Sequence, residues 1–158
     1  MPDAVRERIM KNIQAALEAI TVANGYDNTL SAVERLLQRG QSSQTPMAYV
    51  LEGDDDASTG PLAGPFDLLT RDLQVGVALM VQQDDEEDAR SASEVMNSLV
   101  ADVQRVMQLD TTRGGLALDT QETSVSPIQV DDGMPILSAT VAYRVMYRHR
   151  RNDPSIPG

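Results

Sequence analysis

The residue types that most often carry out catalysis are scarce in this sequence. It has no cysteine and one histidine, His149, which lies in the run Arg148-His149-Arg150-Arg151. A thiol nucleophile and a thiolate metal site are therefore excluded, and a serine–histidine–aspartate triad would have to use His149. The chain also lacks the Gly-x-Ser-x-Gly turn that exposes a nucleophilic serine, and its glycine-rich segments do not match a phosphate-binding loop. We expect His149 to be a surface residue and the protein to have no enzymatic activity and no cofactor.

The first of two acidic segments partly matches a calcium-binding loop. Asp54, Asp56 and Ser58 occupy positions 1, 3 and 5 of such a loop. Position 6 requires glycine and position 12 a bidentate glutamate, but these positions hold Thr59 and Pro65. The glycines and prolines of the segment instead favour a solvated surface loop, with loose binding of a divalent metal as the alternative.

The second acidic segment is a run of five carboxylates, Asp84, Asp85, Glu86, Glu87 and Asp88. Five consecutive acids cannot be buried in a core. We expect either a solvated turn that leads into a helix or an electrostatic surface that repels DNA or docks a basic partner.

Basic residues gather on one side of the last predicted strand, which runs from 136 to 149. Its odd positions from 137 to 147 are apolar, which places Arg144, Arg148 and Arg150 together on the even face. Charged side chains commonly protect a sheet edge against aggregation. Arginine is also enriched in protein interfaces, where it would complement an acidic surface of another molecule. The sequence leaves both interpretations open.

Two helices and several strands are predicted around these residues. Apolar residues recur at helical spacing over 5–20 and 95–107, which predicts two amphipathic helices. We expect Asp3 to cap the first helix and Asn24-Gly25 to end it. For the second helix, Ser91 and Glu94 form a capping box. Strands are predicted at 47–52, 68–81, 116–125 and 136–149, a surface loop at 53–65, and either a short strand or a helical turn at 29–39. These elements predict an α+β fold in which a mixed or antiparallel sheet of about four to five strands packs with two amphipathic helices. We expect a single domain over 1–151 and a flexible C-terminal tail over 152–158.

Composition excludes several further classes of protein. With 158 residues, of which 41% are hydrophobic, the chain can bury one core. Its 24 acidic and 13 basic residues give a net charge of −11, so nucleic-acid phosphates repel the chain as a whole. There is no run of 18 apolar residues, and the N-terminus lacks the apolar core of a signal peptide, so we expect neither membrane insertion nor secretion.

The order of the predicted elements is similar to that of one protein family. An amphipathic helix that ends in Asn24-Gly25-Tyr26 precedes a proline-rich loop and the alternating strand from Leu73 to Val81. A helix after an acid-rich turn then precedes the final strand, with Val141-Ala142-Tyr143-Arg144-Val145. In size, element order and texture, nearly the whole chain resembles the tail terminator (tail completion) proteins of long-tailed bacteriophages, a family without a catalytic motif.

The resemblance implies an α+β subunit that closes into a hexameric ring at the head-proximal end of a virion's tail, assembled in the host cytoplasm. Such a ring caps the tail tube, stops its polymerisation and joins it to the neck. The implied partners are other copies of the chain, the tail tube protein, a neck or connector protein and, in a contractile tail, the sheath protein. DNA would pass through the ring without specific binding, which an acidic lumen favours.

This resemblance leads to two hypothetical surfaces. The acidic lumen or rim would comprise Asp54, Asp55, Asp56, Asp84, Asp85, Glu86, Glu87 and Asp88. The protein interface would comprise Arg144, Arg148, Arg150 and Arg151. The alternatives are another neck or head-completion protein, which would bind the connector, and a small ligand- or metal-binding domain.

Overall fold

A computed structural model describes residues 1–35, 45–58, 67–82, 91–130, 133 and 135–158. Two α-helices and seven strands lie in these residues, in the α+β arrangement that the sequence predicts. In chain order the elements are α1 (Val5–Glu18), β1 (Ala32–Arg35), β2 (Met47–Ala57), β3 (Leu68–Gln82), α2 (Ala92–Leu109), β4 (Ala117–Val125), β5 (Gln129–Val130), β6 (Ile136–Arg150) and β7 (Asp153–Pro157). A short 3₁₀ helix, Val22–Asn24, follows α1. Neither described α-helix is long and apolar enough to span a membrane.

The described strands form one mixed sheet with the order β1-β2-β3-β6-β4. β1 and β2 are parallel, and the other pairs are antiparallel. The pairing of β3 with β6 is unbroken from Leu68 opposite Arg150 to Gln82 opposite Ile136. This path of five strands agrees with the predicted sheet, to which β5 and β7 add two short strands on β6.

Both helices pack on the same face of the sheet, which we call the helix face. The predicted apolar stripes of α1 and α2 are buried there. Alternate residues of β3 and β6 enter the same cluster, and Leu73, Val77, Val141 and Val145 are fully buried. Because full burial of one aliphatic side chain contributes roughly 1.5–3 kcal/mol, the period-2 alternation of these strands determines which face the helices cover.

The opposite face of the sheet, which we call the open face, has no described helix packed on it. A second, smaller apolar cluster of Met47, Tyr49 and Ala78 lies there. Most of the other β6 side chains on this face are half-buried, whereas those on the helix face are buried. The two faces of one sheet therefore have different environments.

The helix ends agree with the sequence at α2 and differ from it at α1. At α2 the predicted capping box forms, with Ser91 Oγ accepting from the Glu94 backbone N–H at 3.3 Å and the Glu94 carboxylate accepting from the Ser91 N–H at 2.7 Å. The prediction that Asp3 caps α1 is wrong, because Ala4 is the N-cap and makes no side-chain cap bond. Lys11 donates to the Asp3 carboxylate instead. Gly25, with φ 87°, ends the 3₁₀ helix and not α1 itself.

The structure resolves one ambiguous prediction for a connecting segment and corrects two others. The ambiguous segment 29–39 contains strand β1, and its residues 36–39 lie outside the described residues. The predicted loop at 53–65 begins too early, because β2 continues through Ala57 after a bulge between Glu52 and Asp55. Where the sequence predicts a flexible tail over 152–158, strand β7 pairs with the end of β6. A proline-containing segment gives no period-2 signal, so its pairing with β6 is invisible in the sequence.

Candidate protein interaction surface

The arginines predicted to share one face of β6 do lie on the open face, where two of them have partners within the chain. Arg144 binds Asp72 of β3 in a bidentate manner, with its Nε and Nη2 atoms 3.0 and 2.7 Å from the two carboxylate oxygens. Arg148 donates from Nε to Thr70 Oγ1 at 2.8 Å. The β3–β6 register brings these partners together across the two central strands. Such contacts fix the positions of both guanidinium groups before any partner binds.

The other two arginines of the predicted interface have no such contacts. Arg150 and Arg151 are exposed at the end of β6, and their side chains make no hydrogen bond or ion pair with the described residues. Their charges are therefore available to a second molecule. The predicted interface thus contains two positioned arginines and two free ones.

The acids Asp54 to Asp56 lie on strand β2 and do not share one environment. Asp54 and Asp56 are exposed. The side chain of Asp55 is 8% exposed; its Oδ1 accepts from Arg71 Nε at 3.0 Å and its Oδ2 from the Tyr147 hydroxyl at 2.8 Å. Asp55 is therefore an internal hydrogen-bond acceptor and does not belong to the exposed acidic surface. The rest of the predicted acidic surface, Asp84, Asp85, Glu86, Glu87 and Asp88, lies outside the described residues.

Asp55 belongs to a charge network that ties α1 to three strands. Arg6 of α1 contacts Glu52 at 3.1 Å and Asp55 at 3.6 Å. Arg35 of β1 binds Glu52 and also Glu7 of α1, the latter at 2.7 Å. The hydrogen bond from Arg35 holds the pKa of Glu7 below its usual value. With Arg71, this network has three arginines and three carboxylates and is neutral, although the chain as a whole is strongly acidic.

The described residues offer few side chains that could together bind a metal ion. They contain no cluster of three or more histidine or carboxylate side chains arranged to hold a metal ion. Glu52, the acid nearest the loop that partly matches a calcium site, is paired with two arginines. The carboxylate of Glu52 is therefore already engaged within the chain.

His149 is not the surface residue that the sequence predicts. It is 7% exposed and lies on the helix face of β6, two residues from Tyr147. Its Nδ1 atom is 2.7 Å from the Arg150 carbonyl oxygen, and its ring centroid is 6.1 Å from that of Tyr147. The arginines around it in the sequence indicate exposure, but strand alternation places Arg148 and Arg150 on the opposite face, and Arg151 lies in the turn after β6.

The burial of Arg113 is not predicted by the sequence, whereas that of Tyr143 follows from the alternation of β6. Arg113 is fully buried; it donates to the Met107 carbonyl in the last turn of α2 and to Thr120 Oγ1 at 3.2 Å, and burial lowers its pKa. It thus satisfies a helix C-terminus that carries negative partial charge. Tyr143 is also fully buried, its hydroxyl has no partner among the described residues, and burial raises its pKa. The one available sequence signal for Arg113 is its place just after α2 and before two glycines.

Comparison with known proteins adds little to this picture. Neither a protein-family model nor a curated protein sequence matches the chain. Among solved structures, the chain is similar to one from the virion of a native gene transfer agent particle, with 12% sequence identity, a TM-score of 0.48 and coverage of 92% of each chain. At that identity and score, the function has to be argued from the residues of this chain.

Proposed function

We propose that the chain is a structural virion protein that acts as a tail terminator. Copies of it form a ring, in our proposal a hexamer, at the head-proximal end of a tail tube. The ring stops polymerisation of the tube and joins it to the neck. This role requires protein–protein contacts and neither catalysis nor a cofactor. Support comes from the element order that the family resemblance rests on and from the arginines and acids of the two candidate surfaces.

The observation that carries the proposal is the open face of the sheet. Its central strands present half-buried side chains on the side away from both described helices. Leu51 is partly exposed on this face, next to Gly76 on β3. A sheet face that combines partly exposed apolar residues with positioned arginines has the composition of a protein interface.

The four arginines would contribute to this interface in two ways. Arg144 and Arg148 keep their intramolecular partners and supply fixed donors at low entropic cost. Arg150 and Arg151 supply exposed positive charge at the end of β6, which complements the acidic surface of a neighbouring copy. A ring of acidic subunits needs such local positive charge because like net charges otherwise repel.

The acidic surface would serve the passage of DNA. Asp54 and Asp56 are exposed on β2, and we propose that they face the lumen or the rim of the ring together with the acids at 84–88. A wall of carboxylates repels phosphates, so DNA slides past without binding.

The first test is the solution mass measured by light scattering over a range of concentrations. A mass near six times the 17.2 kDa chain supports the ring, and electron microscopy of the protein mixed with tail tubes then shows whether it caps one end. A ring that binds an isolated connector but no tube supports the neck-protein alternative. A protein that stays monomeric both alone and with tubes contradicts the proposal.

The interface is tested with Arg150→Glu and Arg151→Glu. Each variant should reduce assembly at low salt with little change in the monomer's stability, since neither side chain makes a hydrogen bond or ion pair with the described residues. Arg8→Glu, on α1, changes the charge by the same amount away from the open face and serves as the matched control. Equal loss of assembly in the control would show that net charge and not the interface is responsible.

A further inference from the structure

A cavity of about 280 Å³ lies on the helix face, beside the N-terminal end of α1. Four elements contribute its polar side chains, which are Arg6, Asp55, Arg71, Tyr147 and His149. Ala4, the N-cap of α1, also lines it. The cavity is on the opposite side of the sheet from the proposed interface, and its chemistry is independent of the proposed function.

The histidine in this cavity has one nitrogen without a partner. A carbonyl oxygen only accepts, so the Nδ1 atom of His149 carries the proton that is donated to Arg150. In the neutral ring Nε2 is then an acceptor, and it has no hydrogen-bond partner among the described residues. The residue is nine-tenths buried. His149 lines the cavity, and Nε2 is not among the fully buried unpaired atoms of the described residues, so it can accept a hydrogen bond from a donor that enters the cavity.

The helix end beside the cavity supplies donors of its own. The first-turn N–H groups of an α-helix have no acceptor within the helix, and α1 has no side-chain cap to accept from them. Asp3, the nearby acid, is bound to Lys11. The N-terminus of this 14-residue helix therefore directs unpaired donors and positive partial charge to its surroundings.

The side chains that line the cavity carry one more positive than negative charge, although the larger charge network to which they belong is neutral. Arg6 and Arg71 face Asp55 in the lining, and Arg6 also contacts Glu52, which does not line the cavity, at 3.1 Å. Both oxygens of the Asp55 carboxylate are already occupied, by Arg71 and by the Tyr147 hydroxyl. An incoming anion would thus meet guanidinium and N–H donors in an otherwise acidic protein.

We propose that this cavity binds a phosphoryl group that carries a proton, such as inorganic phosphate or the monoanion of a terminal phosphate monoester. Its oxygens accept hydrogen bonds from Arg6, Arg71 and the first turn of α1, and its O–H donates to Nε2 of His149. The phosphodiesters of a DNA backbone have no such proton and do not fit. Two molecules can supply this phosphoryl group: free phosphate and a DNA strand with a 5′-terminal phosphate.

The proposal is tested on the unmodified chain by titration with phosphate and with sulfate at pH 7, followed by ¹H–¹⁵N NMR. Sulfate has nearly the same size and shape but no proton to donate. We expect saturable shifts at the amides of residues 5–7 and at the His149 ring, with phosphate bound about tenfold more tightly, the effect of one hydrogen bond to a buried acceptor. Absence of saturable shifts, or equal affinity for the two anions, overturns the proposal.

Two variants identify the groups responsible. Arg6→Gln should weaken the binding of both anions, because it removes a guanidinium group. His149→Asn keeps an amide N–H for the Arg150 carbonyl but removes the acceptor, so it should reduce phosphate affinity to that of sulfate. Arg8→Gln, on the same helix but outside the cavity lining, is the matched control. Unchanged phosphate binding in Arg6→Gln contradicts the proposal, and if a variant does not fold, the comparison of the two anions still decides.

The source of the group is tested with two short oligonucleotides that differ only in a 5′-phosphate, at pH 6, where about half of the terminal phosphate carries its proton. Tighter binding of the phosphorylated strand, lost in His149→Asn, identifies a DNA end as the source. Equal binding of the two strands, with inorganic phosphate still bound, identifies the free ion.

Discussion

The two faces of the β3–β6 pair come from alternate residues of the same strands, yet they are stabilised differently. On the helix face, Leu73 and Val145 are fully buried opposite each other under the helix layer. On the open face, the neighbouring residues Asp72 and Arg144 form an ion pair whose side chains are 21% and 37% exposed. The helix face is stabilised mainly by the removal of apolar area from water, whereas the open face is stabilised by polar contacts of modest strength.

The difference between the faces indicates where a protein interface is expected in such a fold. A face whose residues are all needed for stability has little freedom to change, whereas a face held by weak polar contacts can be adapted to a partner. The proposed interface lies on the second kind of face. Substitutions on each face and in the helix layer therefore test whether the two faces are stabilised differently.

The largest difference in stability is expected between two adjacent substitutions, one on each face of the sheet. Leu73→Ala should lower the free energy of unfolding by about 2–5 kcal/mol, because it removes buried methyl groups and leaves a cavity. Gln74→Ala, one residue further on the exposed side, should change it by less than about 0.5 kcal/mol. Urea denaturation monitored by circular dichroism measures both. Similar losses for the two variants would mean that the faces are equally packed.

A second prediction concerns a carboxylate buried in the helix layer. Asp102 of α2 is fully buried and accepts from the backbone N–H groups of Asp27 and Asn28 at 3.2 and 3.0 Å and from the Asn28 amide at 2.9 Å. Asp102→Ala leaves these donors without that acceptor, and we expect the free energy of unfolding, measured by urea denaturation, to fall by about 2–4 kcal/mol.

The matched control for this carboxylate is Asp27→Ala, which removes an exposed acid that is 3.8 Å from Arg105 and keeps the backbone donor. It should cost less than about 1 kcal/mol. If both variants lost little, Asp102 would not anchor the connection between α1 and β1.

Much of the fold is predictable because its signals are local. The apolar stripe of α1, the capping box at Ser91 and the alternation of β3 and β6 each depend on residues close together in the sequence, and the structure confirms all three. The two faces of the sheet follow directly from that alternation.

The features that the sequence does not predict depend on contacts between distant residues. The local composition around Asp55 indicates a solvated loop, but its partners Arg71 and Tyr147 lie on other strands. The basic neighbours of His149 indicate exposure, yet they alternate to the other face. Arg113 is buried because it reaches back to the end of α2. No local pattern encodes the pairings of Asp55 and Arg113, whereas the alternation of β6, continued two residues past Tyr147, does place His149 on the helix face.

A smaller effect is expected from the ion pair on the open face. In a double-mutant cycle of Asp72→Asn and Arg144→Gln, the coupling energy should be about 0.5–1 kcal/mol and should fall as salt is added, because the pair is partly solvated. The cycle is measured by urea denaturation at two salt concentrations. A coupling above about 2 kcal/mol that salt does not change would show that the open face is as dry as the helix face.

The smallest effect is expected at the edge of the helix layer, where Glu7 of α1 binds Arg35. The hydrogen bond from Arg35 lowers the pKa of Glu7 from its usual value of 4.5, so the ionised form is favoured in the folded chain. The pair therefore adds stability above pH 4.5, and this contribution is lost as the pH falls through the lowered value. The difference in unfolding free energy between the unmodified chain and Glu7→Gln should shrink as the pH is reduced from neutral into this range. In an Arg35→Gln background the same difference should change much less with pH, because the group that lowers the pKa most is gone. A difference that persists unchanged in strong acid would mean that Glu7 stabilises α1 through packing and not through its charge, and the edge of the helix layer would then be as dependent on burial as its centre.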